Sequence, residues 1–184
     1  MDSSEHIKTE ESFQAISQLL APFAQVIGTD LEKYQNHVCR VVANCLAIDN
    51  SEKNRNKYII AGVFHDIGIW TDHTIDYLAP SENIATRYLI DSSQELLMPE
   101  IIAMIHWHHK TTSYNGEHSD TVNTFRKADW IDVSFGLLSF DANYKISSRY
   151  RKKFPNRDFH MFLIRQLANN FLRHPLSPLP MFRL

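Results

Sequence analysis

Histidine and aspartate side chains in this chain occur at spacings that suit cation binding and proton movement. The densest signal is the adjacent pair His65-Asp66. It follows the apolar run Tyr58-Ile59-Ile60-Ala61-Gly62-Val63-Phe64 and precedes Ile67-Gly68. That setting predicts a helix running through the interior. An ionised carboxylate is costly to bury unless a cation or hydrogen-bond donors compensate it. An imidazole beside it offers a second ligand atom for a divalent metal. Neighbouring helical side chains diverge by about 100°, so the pair grips one ion only if the ion lies between their directions. For the dipeptide alone, a salt-bridged Asp near a helix end is the plain alternative.

Two further residues share this character. His37 lies next to Val38 and one turn before Val41, at the edge of an apolar stripe. Asp129 lies between Ala128 and Trp130, one turn after Phe125. Each alone suits a satisfied polar side chain, but together with the pair they give the order His, His-Asp, Asp over three predicted helices. Three of the ten histidines, His106, His108 and His109, fall within four residues. His106 and His109 are three apart and share a helical face, with His108 pointing elsewhere. His106, closing the apolar run, is the foremost candidate of the three for a catalytic role. Alternatively the cluster places cationic groups near helix-end carbonyls.

Cations near these segments suit an anionic substrate group. Arg40 lies one turn after His37, and Lys110 and Arg126 flank the other segments; Arg binds as a bidentate fork and Lys as a point charge. With His109 they make the candidate substrate contacts. In the loop after the pair, His73 and Asp76 are weaker candidates, as is His108. A neutral pocket lined by Trp70, Tyr77 and Trp107 would suit an uncharged substrate instead. The stretch from Lys145 to Arg157 carries six Lys and Arg residues and no acid. It is expected to be a solvated loop before the last helix rather than a nucleic-acid surface.

The elements that must position these groups are helical nearly throughout. Phe13, Ile16, Leu19-Leu20, Phe23 and Val26-Ile27 mark a first helix that Pro22 interrupts and Gly28 stops. Thr29-Asp30-Leu31-Glu32 has the form of a capping box ahead of a helix with Val38, Val41-Val42 and Cys45-Leu46. A loop is expected from Gly68 to Ala79, then a helix after Pro80-Ser81 and another opened by Pro99. Asp120 opens the helix with Asp129. Asn156 is placed to cap the last helix, and the tail Pro175-Leu-Ser-Pro-Leu-Pro cannot continue it. The expectation is an all-α, single-domain bundle over residues 1–184, with the C-terminal helix and Pro-rich tail at 156–184.

The chain has 184 residues, 43% hydrophobic and 22% charged, with net charge −2, which is the composition of an ordinary globular protein and not of a general polyanion binder. No apolar run approaches the roughly 20 residues that span a bilayer. Met1-Asp2-Ser3-Ser4-Glu5 lacks the start of a signal peptide, so cytoplasmic residence is expected. Cys39 and Cys45 form no CxxC pair and are expected to be buried free thiols. The expected partner is a small molecule, with neither membrane nor nucleic acid, and the sequence assigns no oligomeric state.

The segments Asn36-His37-Val38-Cys39-Arg40-Val41, Phe64-His65-Asp66-Ile67-Gly68 and Lys127-Ala128-Asp129-Trp130-Ile131-Asp132 resemble the HD-domain superfamily of metal-dependent phosphohydrolases. The resemblance spans roughly residues 30 to 135. It implies a helical bundle with His37, His65, Asp66 and Asp129 as metal ligands. Such a nitrogen–oxygen set suits Mn, Co, Ni, Fe or Zn better than Mg. One ion is favoured; a second, bridged by Asp66 and held by His106 and His109, is the variant. The implied activity is hydrolysis of a small phosphorylated compound, such as a nucleotide, by a metal-activated water that Asp66 orients or deprotonates. Two departures narrow it: Ile69 stands where some nucleotidases of the superfamily carry Glu, and Ile67–Trp70 supply none of the acids of guanosine-polyphosphate hydrolases. A hydratase resembling cyanamide hydratase and a non-catalytic ligand-binding module remain as alternatives.

Overall fold

The helical spacing is realised as ten α-helices among the described residues of the computed structural model, which are 3–74, 76–140, 142 and 144–173. They are α1 (Ser3–Leu20), α2 (Ala24–Ile27), α3 (Leu31–Ile48), α4 (Glu52–Phe64), α5 (Gly68–Thr71), α6 (Leu78–Asp91), α7 (Met98–Trp107), α8 (Ser119–Val133), α9 (Tyr144–Lys153) and α10 (Phe159–Arg173). The described residues contain no strand. None of their helices is long and apolar enough to cross a membrane.

α3 is the central element. Tyr34 and every residue from Asn36 to Cys45 are buried, because α1, α4, α8 and α9 all pack around it. α7 in turn packs against α4, α6 and α8. The buried core runs from Ile16 and Leu20 through Val38, Val41 and Val42 to Ile60, Val63, Ile101, Ile105 and Phe125. Cys39 and Cys45 are buried free thiols within it. Burial pushes the Cys39 thiol up to about 12 and the Cys45 thiol well above its ordinary value.

Several local expectations are revised. Pro22 does interrupt the first helix: α1 yields at Ala21–Phe23 to a tighter 3-10 turn, and Gly28, at φ +62°, ends α2. The capping box does not form, because Thr29 and Asp30 lie in a second 3-10 turn and no side chain caps α3. Asp30 instead accepts from Trp70 Nε1 at 3.0 Å and pairs with Lys33 at 2.7 Å. The predicted loop after Gly68 contains α5 and the first turn of α6. The basic stretch is no solvated loop: Lys145 to Lys153 lies in α9, whose Ser147 and Tyr150 are buried. Phe13 receives Tyr150 and Phe154 edge-on, with centroids 5.5 and 4.6 Å away. α10 opens at Phe159, whose N–H bonds the backbone carbonyl of Asn156 at 3.0 Å; the Asn156 side-chain oxygen has no hydrogen-bond partner, so it is no cap. The tail from Pro175 lies outside the described residues.

The largest revision concerns the His-Asp pair. It is not inside a continuous helix; α4 ends at Phe64 and the pair occupies tight turns leading into α5. Gly68 fixes that turn against the start of α6. Its N–H bonds Ser81 Oγ at 3.0 Å, and a Cβ there would stand 2.6 Å from the Tyr77 carbonyl oxygen and 2.9 Å from Pro80 Cβ.

Candidate metal centre

Four elements converge on one buried point. α3 brings His37, the turn after α4 brings His65 and Asp66, the turn after α7 brings His108 and His109, and α8 brings Asp129. A helix end aims adjacent side chains where a helix interior cannot, which is how both His-Asp and His-His neighbours enter the same cluster. The His65 Nε2 atom lies 3.3 Å from Asp66 Oδ2, and the ring centroids of His65 and His108 are 4.9 Å apart.

The backs of three imidazoles are committed. His65 Nδ1 lies 2.8 Å from the Gly62 carbonyl and His108 Nδ1 lies 2.5 Å from the Ile105 carbonyl. Carbonyl oxygens only accept, so both Nδ1 atoms donate. His37 Nδ1 lies 2.7 Å from Asp132 Oδ2. Burial raises the Asp132 carboxyl, but His37 and Arg40 overcome this and hold it well below the usual range. It therefore accepts as an anion. With Nδ1 protonated on each ring, the neutral tautomer carries its lone pair on Nε2, the state a metal ligand requires.

The Nε2 atoms face each other and the carboxylates. The Nε2 atoms of His37 and His65 are 3.0 Å apart. Asp66 Oδ2 is 3.7 Å from His37 Nε2, and Asp129 Oδ1 is 3.5 Å from His37 Nε2 and 3.8 Å from His65 Nε2. The other oxygens face the second pair of histidines: Asp66 Oδ1 is 3.4 Å from His108 Nε2, and Asp129 Oδ2 is 3.8 Å from His109 Nδ1. Asp66 Oδ1, His108 Nε2 and both Asp129 oxygens are buried with no hydrogen-bond partner. Buried acceptors are ordinarily satisfied. Ligand atoms held about 2.1 Å from one ion stand roughly 3.0–3.5 Å from each other, so the spacing, the donor types and the orphaned atoms all fit divalent metal. Two triads bring their ligand atoms within 4.8 Å of one another: His37, His65 and Asp66, and Asp66, His108 and His109.

The electrostatics say the same. Burial lowers His65, but Asp66 and Asp129 overcome it and raise the ring to about 9. Burial carries His37 down to about 4 despite Asp132, and lowers His108 and, further, His109. Asp66 is held low, against its burial, by His65 and His108; Asp129 is driven well up by burial. In the metal-free cluster a proton on His65 balances Asp66, while burial favours the neutral form of Asp129; a cation would supply the charge that keeps both carboxylates ionised.

Other sequence-selected residues sit elsewhere. His106 lies outside the cluster: its side chain is 50% exposed and its Nδ1 is 2.8 Å from Glu82 Oε1. The expected grouping of His106 with His109 is therefore corrected, because α7 ends at Trp107 and the following turn sends His108 inward. Arg40 does not reach into the centre. It forks onto Asp132 at 2.6 and 2.9 Å, on the far side of His37. Arg126 is buried beside Asn123 and the Lys110 carbonyl, at 3.4 Å from each. Lys110 is buried, while His73 and Asp76 are exposed. Trp70 packs on Tyr34, with centroids 4.5 Å apart, rather than lining the centre. Trp107 bonds the Thr112 carbonyl at 3.1 Å.

Asp132 was not singled out as a site residue from the sequence, and Tyr77 was named there only as lining a neutral pocket. Asp132 had a signal: His37 and Arg40 on one helix and Asp129 and Asp132 on another are both i,i+3 pairs, the spacing that pairs two helix faces. Tyr77 hydrogen-bonds His109 Nε2 through its hydroxyl, and that contact has no sequence signal, because it depends on how the start of α6 packs.

A family model for the HD domain matches residues 34–134. That range begins three residues before His37 and ends just after Asp132, so it contains the whole cluster. No curated protein and no solved structure gives a significant match.

Proposed function

The chain belongs to the HD-domain family, and on that premise we propose that it is a metal-dependent hydrolase acting on a small phosphorylated compound. The observation that carries this reading is the set of unpartnered, buried lone pairs from His108, Asp66 and Asp129 beside the facing Nε2 atoms of His37 and His65. His37, His65, Asp66 and Asp129 hold the first ion. His108 and His109, with Asp66 and Asp129 oxygens 3.4 and 3.8 Å from them, would hold a second. The nitrogen–oxygen mixture favours Mn, Fe, Co, Ni or Zn. When bound, such ions polarise a phosphoryl oxygen and make coordinated water more acidic.

The chain's own residues supply orientation and water exclusion. His37, His65 and His108 are kept in one tautomer by Asp132 and by two backbone carbonyls. His109, at 17% side-chain exposure, is the most open member of the cluster, and so marks the side from which substrate arrives. Tyr77, hydrogen-bonded to it, is placed to donate to a substrate oxygen at that edge.

A second reading rests on the cations. Arg40 and Arg126 are committed to Asp132, Asn123 and backbone carbonyls, which favours a small neutral substrate and hydratase chemistry. The test is turnover of a panel of nucleotides, sugar phosphates and small nitriles by protein loaded in turn with Mn, Fe, Co, Ni, Zn and Mg. Metal-dependent phosphate release supports the first reading. Hydration of a nitrile without phosphate release supports the second. Metal binding with no turnover of either class would leave a ligand-binding module.

A further inference from the structure

The HD-domain match ends at residue 134, yet the surroundings of His37 are completed by residues well beyond it. Arg40 places Nε 2.6 Å from Asp132 Oδ1 and Nη2 2.9 Å from Asp132 Oδ2, and its remaining nitrogen, Nη1, donates to the Phe154 carbonyl at 2.9 Å. One residue along, the Pro155 carbonyl accepts from Asn36 Nδ2 at 2.9 Å. The Phe159 ring stacks on the His37 ring with centroids 4.3 Å apart and planes 21° apart. His160 Nε2 lies 3.0 Å from the Asp132 backbone carbonyl, so it donates there. His37, Arg40, Asp132, Phe159 and His160 are all buried.

We propose that Arg40 and Asp132 are positioning residues that fix His37 with its Nε2 lone pair toward the cluster, and that they join the metal centre and the segment 154–160 into one cooperative unit. The inference rests on the metal reading above. The physical logic is that a carboxylate behind a ligating imidazole sets its tautomer and ring plane. Asp132 can do this only while its own two oxygens are held, and Arg40, a rigid fork, holds both. The fork's third nitrogen is then spent on the Phe154 carbonyl, so displacement of that segment frees Arg40, then Asp132, then His37. Phe159 closes the remaining face of the ring.

The test uses the full chain and three variants. In Asp132→Asn the one amide oxygen goes to Arg40, which can only donate, and the amide nitrogen then faces His37 Nδ1. This favours the tautomer with Nε2 protonated. Ring-nitrogen NMR of metal-free protein should show Nδ1-protonated His37 in the wild type and loss of that state in Asp132→Asn. Co(II) affinity, measured by competition with a chelator, should fall about 10–100-fold. Arg40→Lys, which keeps the charge but loses the fork, and Phe159→Leu should weaken Co(II) binding in the same direction. If Asp132→Asn does not fold, these two carry the test. Co(II) should also slow amide exchange of Phe159 and Phe162, which bond the carbonyls of Asn156 and Asp158 at 3.0 and 2.8 Å, and Arg40→Lys should abolish that slowing. Unchanged tautomer and affinity in the variants, or Co(II) binding that leaves exchange at 159–162 unaltered, would overturn the proposal. If the wild type binds no Co(II) while its tautomer behaves as stated, the failure belongs to the metal reading instead.

Discussion

Asp129→Asn should make the metal-free protein more stable and the metal-loaded protein relatively less so. Asp129 is nearly fully buried, its two oxygens have no hydrogen-bond partner, and its nearest nitrogens are 3.5 and 3.8 Å away. An unsatisfied buried polar group costs about 1–3 kcal/mol, more if charged. An amide removes the charge, and its NH2 donates to the His37 Nε2 lone pair, 3.5 Å away, which the carboxylate can only face. The expected gain in chelator is therefore about 1–3 kcal/mol, roughly 2–12 °C in Tm at about 2–4 °C per kcal/mol for a chain of this size. Metal reverses the order, because a ligand at 100 times its Kd stabilises the wild type by about 2.7 kcal/mol and the variant has lost a ligand. The pH dependence has a defined sign. Burial, aided by Asp66 and opposed by His65, holds Asp129 above its ordinary 3.8. The folded state thus binds this proton more tightly than the unfolded state does. Wild-type stability from this group is full below about 3.8 and is lost as pH rises through the elevated folded value, so the variant's advantage should grow over that interval. Urea unfolding in chelator and in excess Mn(II), from pH 4 to 8, reads both effects. A variant less stable than the wild type by more than about 1 kcal/mol in chelator would mean instead that the carboxylate is already satisfied.

Gly68→Ala should destabilise the protein by about 1–3 kcal/mol, because the added methyl meets the backbone at Tyr77 O rather than a movable side chain; chemical denaturation measures it. His106→Ala should leave Co(II) affinity unchanged within about twofold while His108→Ala lowers it by 10-fold or more, a contrast that titration of the two variants resolves. Cys39 and Cys45 should resist a thiol reagent at pH 8 in the native state and react on unfolding, since burial keeps both protonated; fast labelling of either in the folded protein would contradict the packing of α3.

The fold class could be read from apolar spacing because helix positions are set locally, by residues three and four apart. The His, His-Asp, Asp order was legible for the same reason, since each member sits beside an apolar stripe. What escaped lies at helix ends. Whether α4 stops at Phe64 is decided by Gly68 meeting the Tyr77 carbonyl, and whether His106 or His108 turns inward is decided by the end of α7; both are tertiary events. Arg40 misled because its register with His37 was right but its partner, Asp132, comes from a different helix. The basic stretch misled because its cations concealed Ile146, Tyr150 and Phe154 at i, i+4 and i+8, the stripe by which α9 packs.

These side chains are arranged to hold a divalent transition metal. Anomalous diffraction at the metal edge from crystals grown with Mn(II) or Co(II) would locate such an ion. The expected result is a peak bounded by the Nε2 atoms of His37 and His65 and by one oxygen each of Asp66 and Asp129. A map with no peak there, or with metal bound only at surface histidines such as His106, would contradict it.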